Sequence, residues 1–233
     1  MYKIILSLCF LSLSIQLFSQ DKTYGNRNMV EQDVFIPNFH RIEAFGEFNI
    51  VLRQDSVPSL KVVTDENHVS DIEIKSVADK LVIKDLNQVE GSSCHLYLHY
   101  NMLKSVELFG LVHLENELLC TFDTLSVKLN GGSSMNMLVE TKKIIAHQST
   151  NSKLTLSGHS NHANYTLNQN SSLNTKKLDC LNTYIETFDN SNAEMLANFN
   201  FIGFLNDLSK LKVYGKSTDI NVNVADLSLY TKL

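Results

Sequence analysis

Tryptophan is absent, proline occurs only twice, glycine nine times in 233 residues, and no arginine follows Arg53. With abundant Leu, Val, Ile, Asn and Ser, this composition suits a β-rich protein outside the cytoplasm better than an enzyme built on large helical layers. The formal charge of −5 and the lack of a basic stripe argue against nucleic-acid binding. Cysteine is scarce too. Removal of an N-terminal leader containing Cys9 would leave Cys94, Cys120 and Cys180, an odd set that allows at most one internal disulfide. Burial of all three as small hydrophobes is the simpler expectation, and their spacing resembles no metal site. Long apolar runs are missing except at the start of the chain. Met1–Lys3 supplies a short basic region, Ile4–Phe18 an apolar core and Leu17-Phe18-Ser19 a cleavage context before Gln20. Together these read as a secretory signal peptide over residues 1–19, too short for a comfortable membrane span. Leu8 before Cys9 is bulky, which disfavours lipidation, and no other segment could cross a bilayer as a helix.

What the sequence does contain is a repeat. Val127–Met135, Ala146–Leu154, Tyr165–Leu173 and Ile185–Ala193 align column by column. Ser133, Ser152, Ser171 and Ser191 share one position, with Gly132, Asn151, Asn170 and Asn190 just before it, and the serines are 19, 19 and 20 residues apart. Within each unit apolar residues alternate, as at Leu125, Val127 and Leu129, so the elements are strands. A return of this length is too short for a helical crossover, so the chain must coil and lay each turn on the last, ~4.8 Å apart. The expected fold is therefore all-β, a single-stranded parallel β-helix with coils of about 19–22 residues. Its right-handedness follows from the bias of parallel crossovers. Asn151, Asn170 and Asn190 are expected to form an amide ladder at a corner, with the serine column beside it. The rival explanation is that Asn and Ser are common turn residues.

Ile42, Val62, Ile83, Val106, Val127, Ala146, Tyr165, Ile185, Phe204 and Val224 recur at 19 to 23 residues, which suggests about ten rungs. The early intervals are irregular, so residues 34–100 read either as regular coils or as an antiparallel cap. Asp65–Val69 is a short helix or loop. Residues 20–33 look like a mobile leader, and residues 218–233 like a strand or tail closing the last edge.

Phe39, Ile42, Gly46, Phe48, Ile50, Leu52 and Gln54, followed by Leu60–Asn67, Ile72–Lys75 and Lys80–Ile83, resemble the auto-transporter adhesin family with the head GIN domain. The likeness runs over residues 34–217 and closes at Val213-Tyr214-Gly215-Lys216. It implies a right-handed parallel β-helix on an exported protein of Bacteroides-like bacteria, and no defined activity. Family members carry a small-Gly-small corner in most coils. Here only Asn130–Ser133 and Leu156–Gly158 look like it, and Asn takes over elsewhere.

Candidate chemistry is sparse. His95 with His99, and His159 with His162, lack a matching carboxylate or thiolate, so exposed strand and corner histidines are the simpler reading and no metal or cofactor is expected. Asp65 and Glu66 could form a carboxylate pair or a Ca²⁺ site, but a solvated turn explains them as well. Polysaccharide lyases on β-helices need clustered acids with an Arg or Lys base, and the central rungs offer no arginine. No catalytic residues are assigned. Three functions remain in view: a non-catalytic binding or adhesion module for a glycan or envelope protein, at the periplasm, outer-membrane surface or outside the cell; a self-associating structural element; and, least favoured, a carbohydrate-active enzyme. An outward apolar patch involving Phe188, Phe199 and Phe201 would favour self-association into a homo-oligomer.

Overall fold

Strict alternation of apolar and polar side chains produces strand after strand, and each hides one face only by stacking on another. A computed structural model describes residues 24–87 and 91–233; the expected signal peptide and Cys9 lie outside the described residues. The chain runs through β1 (Met29–Val34), β2 (Arg41–Gly46), β3 (Asn49–Gln54) and β4 (Ser59–Asp65), then a 3-10 helix (Glu66–Asp71). It continues through β5 (Ile72–Val77), β6 (Lys80–Asp85), β7 (His95–Tyr100), β8 (Ser105–Gly110) and β9 (His113–Asn116). Four long strands follow: β10 (Cys120–Asn130), β11 (Ser134–Gln148), β12 (Lys153–Leu167) and β13 (Ser172–Thr187). The last coils are made by β14 (Asn192–Leu196), β15 (Asn200–Leu205), β16 (Lys210–Tyr214), β17 (Ile220–Val224) and β18 (Leu229–Lys232).

From β8 onward the molecule is a parallel β-solenoid of about seven turns. Val106 lies beside Val127, then come Ala146, Tyr165 and Ile185, one coil after another. The next members of that column are Gly203 and Val222, not Phe204 and Val224 as the interval suggests. The cause is local. Phe201 and Leu205 fill the core, Gly203 leaves room between them, and Phe204 on the opposite phase faces solvent. Of the aromatic trio expected on the surface, Phe201 is thus a core residue, whereas Phe199 is exposed.

Two corners shape each coil. At the first, both central residues have positive φ: Gly131 and Gly132, Thr150 and Asn151, Gln169 and Asn170, Asp189 and Asn190, Asp207 and Leu208, Asp226 and Leu227. Gly and Asn tolerate this left-handed region better than most residues, which accounts for their recurrence. The residue after each pair is serine, including Ser209 and Ser228, two further members of the column that the nine-residue pattern does not reveal. At the second corner a buried side chain donates to the carbonyl two residues on: Thr141 to Lys143 at 3.2 Å, Ser160 to His162 at 2.9 Å and Cys180 to Asn182 at 3.3 Å. Cys180 does the work of a hydroxyl there. Cys94, Cys120 and Cys180 are all buried, and no disulfide joins them among the described residues.

The N-terminal third departs from sequential stacking. β2 pairs in parallel with both β6 and β8, and β3 with both β7 and β9. The first coil in sequence is therefore inserted between two later ones. Beyond it, β4 runs antiparallel to β7, β1 antiparallel to β4, and β5 antiparallel to β6. The region combines one interposed coil with an antiparallel cap, so Val62 opposes Leu96, and Ile42 lies beside Leu81 rather than Ile83, which pairs with Ala44. Met29–Val34, all but its last residue expected within the mobile leader of residues 20–33, is the outermost cap strand. At the other end, residues 220–232 add a further parallel coil on β15 and β16. One apolar core runs from Ile36 to Val213.

Candidate functional site

The cap also creates a concavity. On β7, Leu96, Leu98 and Tyr100 point into the core, so His95, Tyr97 and His99 must face outward. Register then builds a grid on that face. Asp33 opposes Lys61, Lys61 opposes Tyr97, and Tyr97 lies beside Val51. One row along, Ser59, His99 and Arg53 line up in the same way. A groove of about 830 Å³ opens on one side of Tyr97 and His99, lined by Glu31, Asp33, Phe35, Pro58, Lys61 and their neighbours. A smaller recess of about 90 Å³ opens on the other, lined by Val51, Arg53, Glu117 and Leu118. Tyr97, 42% exposed, is the ridge between them.

Two exposed ion pairs lie at or beside the groove. Lys61 Nζ lies 2.9 Å from Glu31 Oε2, a hydrogen bond that raises the pKa of the lysine. His99 Nδ1 lies 3.3 Å from Asp55 Oδ2. The Asp55 carboxyl is held below its usual range, first by the Ser56 backbone N–H and also by His99. Both shifts carry their groups away from neutrality, the reverse of what a general acid or base working near pH 7 requires. The strand alternation His95-Leu96-Tyr97-Leu98-His99 was the available signal for Tyr97; a search for metal pairs takes only its histidines.

A second polar cluster lies inside the cap. His68, 2% exposed, places Nε2 3.0 Å from Asp85 Oδ1, while its Nδ1 lies 3.0 Å from Ser92 Oγ and 3.3 Å from Thr64 Oγ1. The order Asp, His, Ser has the look of a hydrolytic relay, but none of the four lines either groove. It ties the 3-10 helix to β4, β6 and the segment before β7. Asp65 is likewise buried, against the expected solvated turn, whereas Glu66 is exposed and accepts from Asn28 Nδ2 at 2.8 Å. Among the described residues, no three His, Cys, Asp or Glu side chains group as metal ligands. His159 Nε2 contacts Asn161 Oδ1 at 3.3 Å, and His162 is exposed.

The residues expected as a ladder come together in part. Ser152 and Ser171 are vertical neighbours, their hydroxyls 3.5 Å apart. Asn190 Nδ2 donates to Asn170 Oδ1 at 2.9 Å. Asn151 joins the column through the backbone, its N–H donating to Gln169 O, as those of Asn170 and Asn190 do to Asp189 and Asp207. Ser133 Oγ donates to Leu108 O at 3.2 Å and Ser171 Oγ to Asn168 O at 2.5 Å, while the buried Ser191 Oγ has no partner among the described residues.

The molecule is a parallel β-solenoid with an antiparallel N-terminal cap and, on its outer face, a largely apolar groove edged by charged residues. The chain belongs to the family described as "Putative auto-transporter adhesin, head GIN domain", whose model matches residues 38–217. Its fold is similar to that of a putative adhesin from Bacteroides fragilis, with 13% identity and a TM-score of 0.78 over 90% of this chain and 99% of that one. A putative adhesin from Parabacteroides merdae is 14% identical, with a TM-score of 0.72 over 91% and 99%. A protein of Parabacteroides distasonis called a putative lipid binding protein is 12% identical, with a TM-score of 0.70 over 91% and 99%. No curated protein matches the sequence. Among the described residues no helix is long and apolar enough to cross a membrane.

Proposed function

We propose that this chain is an exported, non-catalytic adhesion module that binds a glycan in the groove beside Tyr97. The carrying observation is the exposed ring of Tyr97 standing between two recesses, with Lys61, Asp33, His99 and Arg53 around it. Sugar rings present C–H faces that pack on an aromatic ring, and hydroxyls that bond to carboxylates and to Lys or Arg. The leader-like residues 1–19 support export, and family membership supports adhesion.

An acyl chain is the second reading. It is favoured by Phe35, 95% exposed, beside Val34, Ile36 and Pro58 in the same groove. A glycan array probed with the purified mature chain, run beside a fluorescent fatty-acid displacement assay, separates the two. Glycan binding lost in Tyr97→Ala, with the melting temperature unchanged, is the expected result. Displacement of the fatty acid without any glycan signal would replace the first reading with the second.

A further inference from the structure

We propose that the ligand of the Tyr97 groove is a glycolipid: an uncharged sugar seated on Tyr97, and a hydrocarbon chain running from it across β4 to Phe35. This rests on the sugar site proposed above and makes the acyl chain a second part of the same molecule. Strands β1, β4, β7 and β3 lie side by side in that order beneath the site. A sugar on Tyr97 reaches Lys61, one strand step away on β4, and Arg53, one step away on β3. It does not reach the other end of the groove. β1 pairs with β4 as far as Val34 and Leu60, so the residues just beyond, Phe35, Ile36 and Pro58, gather there, two strand steps and about 10 Å from Tyr97. No charged side chain is among them, and Phe35 stands 95% exposed.

Two neighbouring regions of one groove thus ask for opposite chemistry. The ridge offers a ring face and hydrogen-bonding side chains, which suit a sugar. The far end offers apolar surface, which gains by covering hydrocarbon and loses by stripping water from hydroxyls. A glycan alone leaves Phe35 in water, and a fatty acid alone leaves the face of Tyr97 and the guanidinium of Arg53 unused. The charges choose the head. Glu31, Asp33 and Glu117 line the two recesses against Lys61 and Arg53, so the walls hold one more acid than base and attract no carboxylate or phosphate. A neutral sugar meets no such repulsion. The groove, about 830 Å³ in volume, is of the size that small-molecule sites usually have.

Isothermal calorimetry of the purified mature chain with n-alkyl β-glucosides from methyl to octyl, each kept below its micelle concentration, tests this beside octanoate, which has the chain without the sugar. Affinity should rise roughly two- to fourfold per added methylene, with a heat capacity change that grows more negative, and octyl glucoside should bind tighter than octanoate. Phe35→Ser, a change at an exposed position, should flatten that dependence, whereas Tyr97→Ala should weaken every glucoside about equally and leave the slope. The series on the unmodified chain stands apart from any variant. Methyl glucoside or the array glycans binding as tightly as octyl glucoside would overturn the glycolipid and leave the sugar site standing. Octanoate matching octyl glucoside, a slope indifferent to Phe35→Ser, or no binding of any alkyl glucoside up to millimolar concentration would overturn it as well.

Discussion

Phe45 and Phe109 stack face to face on the outer surface, with centroids 4.7 Å apart and planes 9° from parallel, although they lie 64 positions apart in sequence. Lys84 lies 5.5 Å from the centroid of the first ring and Lys128 5.5 Å from that of the second. The contact exists because β2 is interposed between β6 and β8. A double-mutant cycle on Phe45→Ala and Phe109→Ala, read by urea unfolding, should give a coupling of about 0.5–1.5 kcal/mol. Additive losses would mean that the two coils are not neighbours in solution.

Gly158 has φ +106°, and a methyl group added there would stand 2.1 Å from Val139 O. Gly203 has no such φ, and its nearest neighbours would be side-chain atoms at 3.3–3.5 Å. Gly158→Ala should therefore cost about 1–3 kcal/mol or more, while Gly203→Ala should be much milder. Chemical denaturation of the two variants side by side checks the order.

Asn170 and Ser171 test what the repeated corner is for. Leu208 already occupies the position equivalent to Asn170 with φ +63°, and the Asn170 side chain is exposed. Asn170→Leu is expected to lose one exposed amide bond and some left-handed preference, about 1 kcal/mol. Ser171→Ala leaves the carbonyl of Asn168 without its hydroxyl donor inside the coil, at about 1–3 kcal/mol. The reverse order of melting temperatures would put the amide column ahead of the serine column as the corner's main support.

His68→Leu leaves Asp85 buried without its partner, and should cost about 3–5 kcal/mol. The double variant His68→Leu with Asp85→Leu should recover part of that loss, since both polar groups are then gone. Equilibrium unfolding in urea is the measurement. A double variant no better than the single one would show that Ser92 and Thr64, not Asp85, hold this helix down.

Burial pushes the Cys94 thiol up to about 12 and raises that of Cys180 as well. A thiol that resists ionising when folded keeps its proton while the unfolded chain releases one, so stability falls as pH rises between about 9 and 12. The loss is about 1.4 kcal/mol per pH unit for each thiol in its window. Below pH 9 these thiols contribute no slope, and thiol reagents should label them only as fast as the chain opens.

The middle of the chain was the legible part. Each coil from β10 to β13 repeats one corner chemistry and one alternation, so Ser152 and Ser171 could be placed one above the other before any coordinates. The likeness over Phe39–Ile83 named the family, but it could not show that β2 slots in beside β8. The Tyr97 groove was missed for a related reason. Its walls come from β1, β4 and β7, strands whose antiparallel order leaves no period to count.

The amino-acid order alone determined the winding, because left-handed corner residues and a two-residue apolar rhythm act over a few neighbours and recur at every turn. Only the tertiary structure decided which edge each early strand joined, how Phe201 and Gly203 shifted the column, and where Tyr97 came to face a cavity. Those outcomes depend on competition among strand edges distant in sequence, settled by which arrangement buries the apolar faces and pairs the backbone most completely.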